Sequence, residues 1–211
     1  LTLNRLSTKA CATLIDDLTG GLPLPEEVQA QIMQKTDGIP LFVEELTKTV
    51  LESGLLERRA DGYVLAGPLP PLAIPSTLQD SLMARLDRLE GVKEIGQIAA
   101  AIGREFPLAL LDAVAPIHGT QLDAALARLA DSELIFRRGV PPDLSFVFKL
   151  ALIQDAAYET LLRSRRQQIH ARIAEALRTQ FIERAEAAPE LVATHYHRAG
   201  LFKEAAPYWL L

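Results

Sequence analysis

Leu122, Ala125, Leu126 and Leu129 fall at i, i+3, i+4 and i+7, one face of a helix. Five residues on, the period shortens to two. Leu134-Ile135-Phe136-Arg137-Arg138 and Leu144-Ser145-Phe146-Val147-Phe148 are β-type runs, separated by Gly139 and Pro141-Pro142. This change of period predicts a helix from Thr120 to Ala130 followed by a hairpin. Three more helices are expected before it. Ser76 or Thr77 caps the first, with the stripe Leu78, Leu82, Leu86 and Leu89. Val92, Ile95, Ala99 and Ile102 line the second, and the third runs from Pro107 to Ala115. Helices followed by a hairpin outline a winged-helix domain.

Toward the N-terminus, Leu1 to Leu6 reads as a short strand leading into a helix capped by Ser7 or Thr8, with Leu14 and Leu18 on one face. Gly20-Gly21 ends that helix, and a second runs from Glu26 to Lys35 with Val28, Ile32 and Met33 inward. Asp37-Gly38-Ile39-Pro40 breaks the pattern, and Pro40 suits the first turn of a third helix, where its missing N–H is no loss. Phe42, Leu46 and Val50 line that helix, and Glu44, Glu45 and Lys48 are expected to face water. Leu55 to Arg59 and Tyr63 to Leu65 predict a small hairpin around Asp61-Gly62. The Pro-rich residues 67–75 read as a stiff linker.

From Ala151 onward the chain is helical again. Ile169, Ile173, Ala176 and Leu177 line one long helix, Pro189 starts another, and Gly200 sets off a last one. Paired helices of this kind suggest the start of a helical solenoid, which needs about three repeats for stability. The expected class is therefore mainly α: a helical subdomain over 1–66, a linker over 67–75, a winged-helix-like domain over 76–163 and the start of a helical-repeat arm over 164–211. The chain opens on Leu1-Thr2-Leu3 and closes on Trp209-Leu210-Leu211 inside an apolar pattern, so we expect a piece cut from a longer protein.

Composition narrows the function classes. Of the 211 residues, 49% are apolar, enough for a real core, yet no run approaches the roughly 20 apolar residues a bilayer demands. A formal net charge of -5 argues against a general nucleic-acid binder. The single Cys11 precludes an internal disulfide and fits a reducing, cytoplasmic setting.

Three runs are distinctive in combination. They are Thr36-Asp37-Gly38-Ile39-Pro40-Leu41-Phe42-Val43-Glu44-Glu45-Leu46, Ile74-Pro75-Ser76-Thr77-Leu78-Gln79-Asp80-Ser81-Leu82, and Phe148-Lys149-Leu150-Ala151-Leu152-Ile153-Gln154-Asp155-Ala156-Ala157-Tyr158 with Leu161-Leu162-Arg163-Ser164-Arg165-Arg166 after it. In this order they resemble the region after the nucleotide-binding core of STAND-type AAA+ signalling ATPases. The nearest likeness is to bacterial proteins in which that ATPase follows an adenylate/guanylate cyclase domain. The resemblance spans the whole chain and implies lid helices, a winged helix and a tetratricopeptide-like arm. It implies that Gly38 and Pro40 lie against a nucleotide; a plain helix break with a Pro start explains the same two residues. ATP or ADP with Mg2+ would belong to an upstream core of the same chain, with no cofactor in this segment, and a protein partner would sit on the arm. The family often has His before Ala-Leu near the end of the winged helix, where the phosphate is sensed. Here Leu150 stands there and cannot donate a hydrogen bond, which leaves Lys149 as a substitute or as a solvated lysine.

No complete active site is legible. The phosphate-binding run Gly-x-x-x-x-Gly-Lys-Ser/Thr is missing from the sequence. Leu14-Ile15-Asp16-Asp17 mimics a Mg2+-positioning strand but sits in a helical pattern. His195 and His197 lie about 200° apart on a helix and cannot share a metal, His118 is expected in a loop, and His170 lies in a basic helix. The run Arg163, Arg165, Arg166 and Arg172 is either a site for an anionic partner or a solvated helix face. A DNA-binding winged helix is the competing reading. Its recognition helix would carry one arginine, Arg128, between Asp123 and Asp131, a poor surface beside phosphates.

Overall fold

A computed structural model describes residues 5–68, 74–89 and 91–210. The chain divides into two compact units, Leu1–Arg85 and Leu86–Leu211. Its described residues form twelve α-helices and two small antiparallel sheets. None of those helices is long and apolar enough to cross a membrane.

In the first unit, α1 (Thr8–Leu18), α2 (Glu26–Thr36) and α3 (Pro40–Glu52) pack around Ile15, Val28, Ile32, Phe42, Leu46 and Val50. Ser7 caps α1, its Oγ accepting from the Ala10 amide at 3.3 Å. The buried face of α1 is Cys11 and Ile15, with Leu14 and Leu18 at its edge. The expected strand before α1 falls largely on residues outside the described ones, and Arg5 to Ser7 are not strand. Strands β1 (Leu56–Arg59) and β2 (Gly62–Leu65) pair with Arg59 opposite Gly62, which places Ala60 and Asp61, not Asp61 and Gly62, at the tip. Gly62 instead packs on Pro23, 3.0 Å from where a Cβ would stand. Part of the expected linker, residues 69–73, lies outside the described residues.

Glu45 does not face water: it is fully buried, its Oε2 2.5 Å from Arg85 Nη1 on α4 (Leu78–Arg88). Arg85 Nε also donates to Glu52 at 3.1 Å. Thr49 and Ser81 meet beside them, hydroxyl to hydroxyl at 2.6 Å. A buried carboxylate demands a paired and hydrogen-bonded partner, and α4 supplies it. Glu44 and Lys48 pair with each other at 2.9 Å and are both partly buried rather than fully exposed.

The second unit opens on α5 (Lys93–Ile102), β3 (Glu105–Pro107), α6 (Leu108–Val114), α7 (Thr120–Asp131), β4 (Ile135–Arg138) and β5 (Ser145–Phe148). Strand β3 was not expected; its last residue is the proline read as a helix start. It pairs with β5, giving the sheet order β3-β5-β4. Pro107 is tolerated because β3 is an edge strand. Phe106 is fully buried here, its ring 5.9 Å from Phe146 and 5.5 Å from Phe148.

The unit closes with α8 (Ala151–Glu159), α9 (Arg163–Gln180), α10 (Ile182–Ala187), α11 (Pro189–Ala199) and α12 (Phe202–Trp209). Helix α11 packs on both α9 and α12. Gly200 ends α11 in the left-handed region (φ 80°), where its own amide and that of Leu201 bond back to His197 and Tyr196.

Candidate functional site

The predicted site residues fall at three places. Gly38 is buried in the turn between α2 and α3 at φ 70°. Its carbonyl accepts from the Leu6 amide at 2.7 Å, and a Cβ on it would lie 2.6 Å from the Leu6 carbonyl oxygen. Only glycine satisfies both demands, so the fold itself requires this residue. Pro40 is the first residue of α3 and is exposed beside Ile39, itself 46% exposed, leaving a small apolar edge at the start of the helix. Gly38→Ala is therefore expected to destabilise the first unit by about 1–3 kcal/mol. Pro40→Ala should shift stability by under ~1 kcal/mol. Urea unfolding of the two variants checks the contrast.

Lys149 ends the hairpin, and its ammonium donates to Glu133 at 2.9 Å. Leu150 is the extended residue before α8 (φ -126°, ψ 143°) and supplies no side-chain cap.

The four arginines of the basic run do not act together. Arg165 pairs with Glu94 on α5, and Arg172, a half-buried guanidinium two turns on, lies near enough to feel both charges. Burial first, then the like charge of Arg165, lowers the Arg172 pKa, with Glu94 opposing. Arg163 and Arg166 sit on another side of α9. They line a cavity of about 570 Å³ with Gln154, Tyr158, Gln167 and Arg198. Arg166 is built into that wall. It donates to the Leu161 and Glu159 carbonyls at 2.9 and 2.7 Å and lies over the Tyr158 ring at 4.7 Å.

Beneath this wall lies a cluster the sequence reading missed. The Tyr158 hydroxyl is 2.8 Å from His170 Nε2, and His170 Nδ1 is 2.8 Å from His195 Nδ1. Both histidines are buried, at 0% and 3% exposure. A neutral pair satisfies this chain in either tautomeric direction, with one ring donating and the other accepting at the shared contact. One added proton still leaves one donor and one acceptor there; a second would set two N–H groups face to face. Burial, then the Arg198 and Arg166 charges, pushes His170 down to about 4; burial, then His170 and Arg198, pushes His195 down to about 3. His197 faces outward, as its spacing from His195 requires. Among the described residues no group of His, Cys, Asp and Glu could hold a metal ion.

The sign of the resulting pH effect is fixed. Unfolded histidines, near 6.5, bind protons that the folded pair refuses until about pH 4 and then 3. Stability of the second unit should be level above about pH 7 and fall from about 6.5 downward, with roughly 3 kcal/mol per histidine lost by about pH 4. Equilibrium unfolding across pH tests this. His170→Gln/His195→Gln should flatten that slope; an unchanged slope would assign it to other groups.

No protein-family model matches the chain. Over 174 residues, 82% of its length, the chain is 30% identical to an uncharacterized protein of Rhizobium meliloti (strain 1021). It spans 16% of that protein's length.

Proposed function

We propose that this chain is a non-catalytic regulatory segment of a cytoplasmic, nucleotide-switched signalling ATPase of the STAND class, one linked to a cyclase domain. In this reading the first unit is a lid whose exposed Ile39-Pro40 edge packs against nucleotide held by an upstream core of the same chain. The segment from α5 to β5 is a winged helix that moves with the lid, and α9, α11 and α12 begin a tetratricopeptide-like arm that meets a protein partner. ATP or ADP with Mg2+ acts through its differential affinity for open and closed states.

The observation that carries the reading is the connectivity of the second unit. Helix, strand, helix, helix and hairpin follow in order, and the early strand β3 pairs with the late strand β5. Five helices follow it, the last two, α11 and α12, joined through the left-handed corner at Gly200. This order supports the reading that the three sequence runs imply by resemblance. The outward residues of α7 include Asp123, Arg128 and Asp131, and Arg138 on the hairpin is tied to Glu105 at 2.9 Å. That surface favours a protein-coupled role over DNA binding.

The reading is tested by the coding sequence immediately upstream of Leu1. A Gly-x-x-x-x-Gly-Lys-Ser/Thr run in frame, behind a strand pattern, is the expected result. Its absence would overturn the proposal.

A further inference from the structure

The cavity between α8, α9 and the α11–α12 corner holds more positive charge than the fold uses. Of its three arginines, only Arg166 is engaged by protein groups. The Arg163 and Arg198 side chains make no hydrogen bond or ion pair among the described residues. One carboxylate, Asp155, shares the cavity and forms no ion pair with either. One carboxylate against three guanidiniums leaves the cavity positive, and the Arg198 and Arg166 charges add to burial in lowering the His170 pKa. The start of α9 adds to this field. It opens Arg163-Ser164-Arg165-Arg166 with no side-chain cap, where the helix dipole favours acids. Two remaining lining groups are amides. Gln154 is held by the Ala100 carbonyl at 3.1 Å, and Gln167 lies 3.3 Å from the point where a Cβ on Gly200 would stand.

We propose that this cavity binds a phosphate-bearing small molecule, with Arg163 and Arg198 grasping the phosphate oxygens and Arg166 fixed behind them. The guanidinium fork matches phosphate oxygens in pairs, and arginines from α9 and α11 approach one anion from two elements. A volume of about 570 Å³ exceeds what a bare phosphate fills and lies in the ordinary range for small-molecule sites. The exposed Phe202 ring, packed edge-on against His197, provides an apolar wall for an organic part. The site does not depend on the proposed upstream core and would survive the loss of that reading.

The test is an NMR titration of the full 211-residue chain at fixed ionic strength, following arginine Nε–Hε signals, with inorganic phosphate in one arm and AMP in another. Saturable shifts at Arg163 and Arg198 are expected. Affinity at least ~10-fold higher for AMP assigns the site to an organic phosphate, and equal affinity assigns it to free phosphate. Arg163→Gln/Arg198→Gln removes two exposed side chains with no protein partners, so the fold should hold and binding should weaken at least ~10-fold. Absence of saturable shifts with both probes, or shifts that persist unchanged in the double variant, would overturn the proposal.

Discussion

Arg85→Ala is expected to lower the unfolding free energy of the first unit by about 3–5 kcal/mol, the range for stripping one partner from a buried ion pair. The Arg85 side chain is 2% exposed and the Glu45 carboxylate 1%, so water cannot replace what the guanidinium supplies. Removing it leaves the carboxylate desolvated and also releases Glu52. Arg85→Lys should recover only part of the loss, because one ammonium cannot reproduce the separate Nη1 and Nε contacts to two carboxylates. Glu45→Met/Arg85→Met provides the control. Replacing both charges by apolar groups of similar volume is expected to restore most of the stability. Urea melts followed by circular dichroism decide this. Equal losses in the single and double variants would show that packing volume, rather than uncompensated charge, dominates.

Phe106→Ala should cost the second unit about 3–5 kcal/mol, the usual penalty for deleting a fully buried phenylalanine. The ring belongs to a three-residue strand, yet it stacks on Phe146 and meets Phe148 at a tilt across the sheet. Its loss opens a void between β3 and β5. Phe106→Leu, which refills much of that volume, should lose less than half as much. A small effect of Phe106→Ala would mean that β3 contributes little to the sheet.

Periodicity in the sequence located the helices because their apolar stripes are long. Thr120–Asp131 and Pro40–Glu52 lie within a residue or two of where Leu122, Ala125, Leu126 and Leu129, or Phe42, Leu46 and Val50, placed them. Strand β3 was hidden because three residues ending in proline carry no period; its pairing comes from β5, forty residues away. Glu45 was misplaced for a different reason. It stands three residues after Phe42, on the buried side by helical spacing, but its charge argued for water. Its partner, Arg85, was invisible until α4 was folded against α3.

The arginine run was legible as charge but not as geometry. Arg163 and Arg166 share a cavity with Arg198, which lies on another helix, while Arg165 is drawn to Glu94. The histidine pair had a signal that could have been read: His170 follows Ile169 on the stripe leading to Ile173, and His195 follows Val192 by three. A polar ring on an apolar stripe must find a partner inside, and each of these found the other.

The central claim is that this segment transmits a nucleotide state held elsewhere, so Mg-ATP titrated into the chain by calorimetry is its most direct test. The expected result is weak binding, with a dissociation constant no tighter than tens of micromolar on the scale of an exposed anion site, and no hydrolysis. Submicromolar binding, or turnover of ATP by the chain alone, would contradict the account.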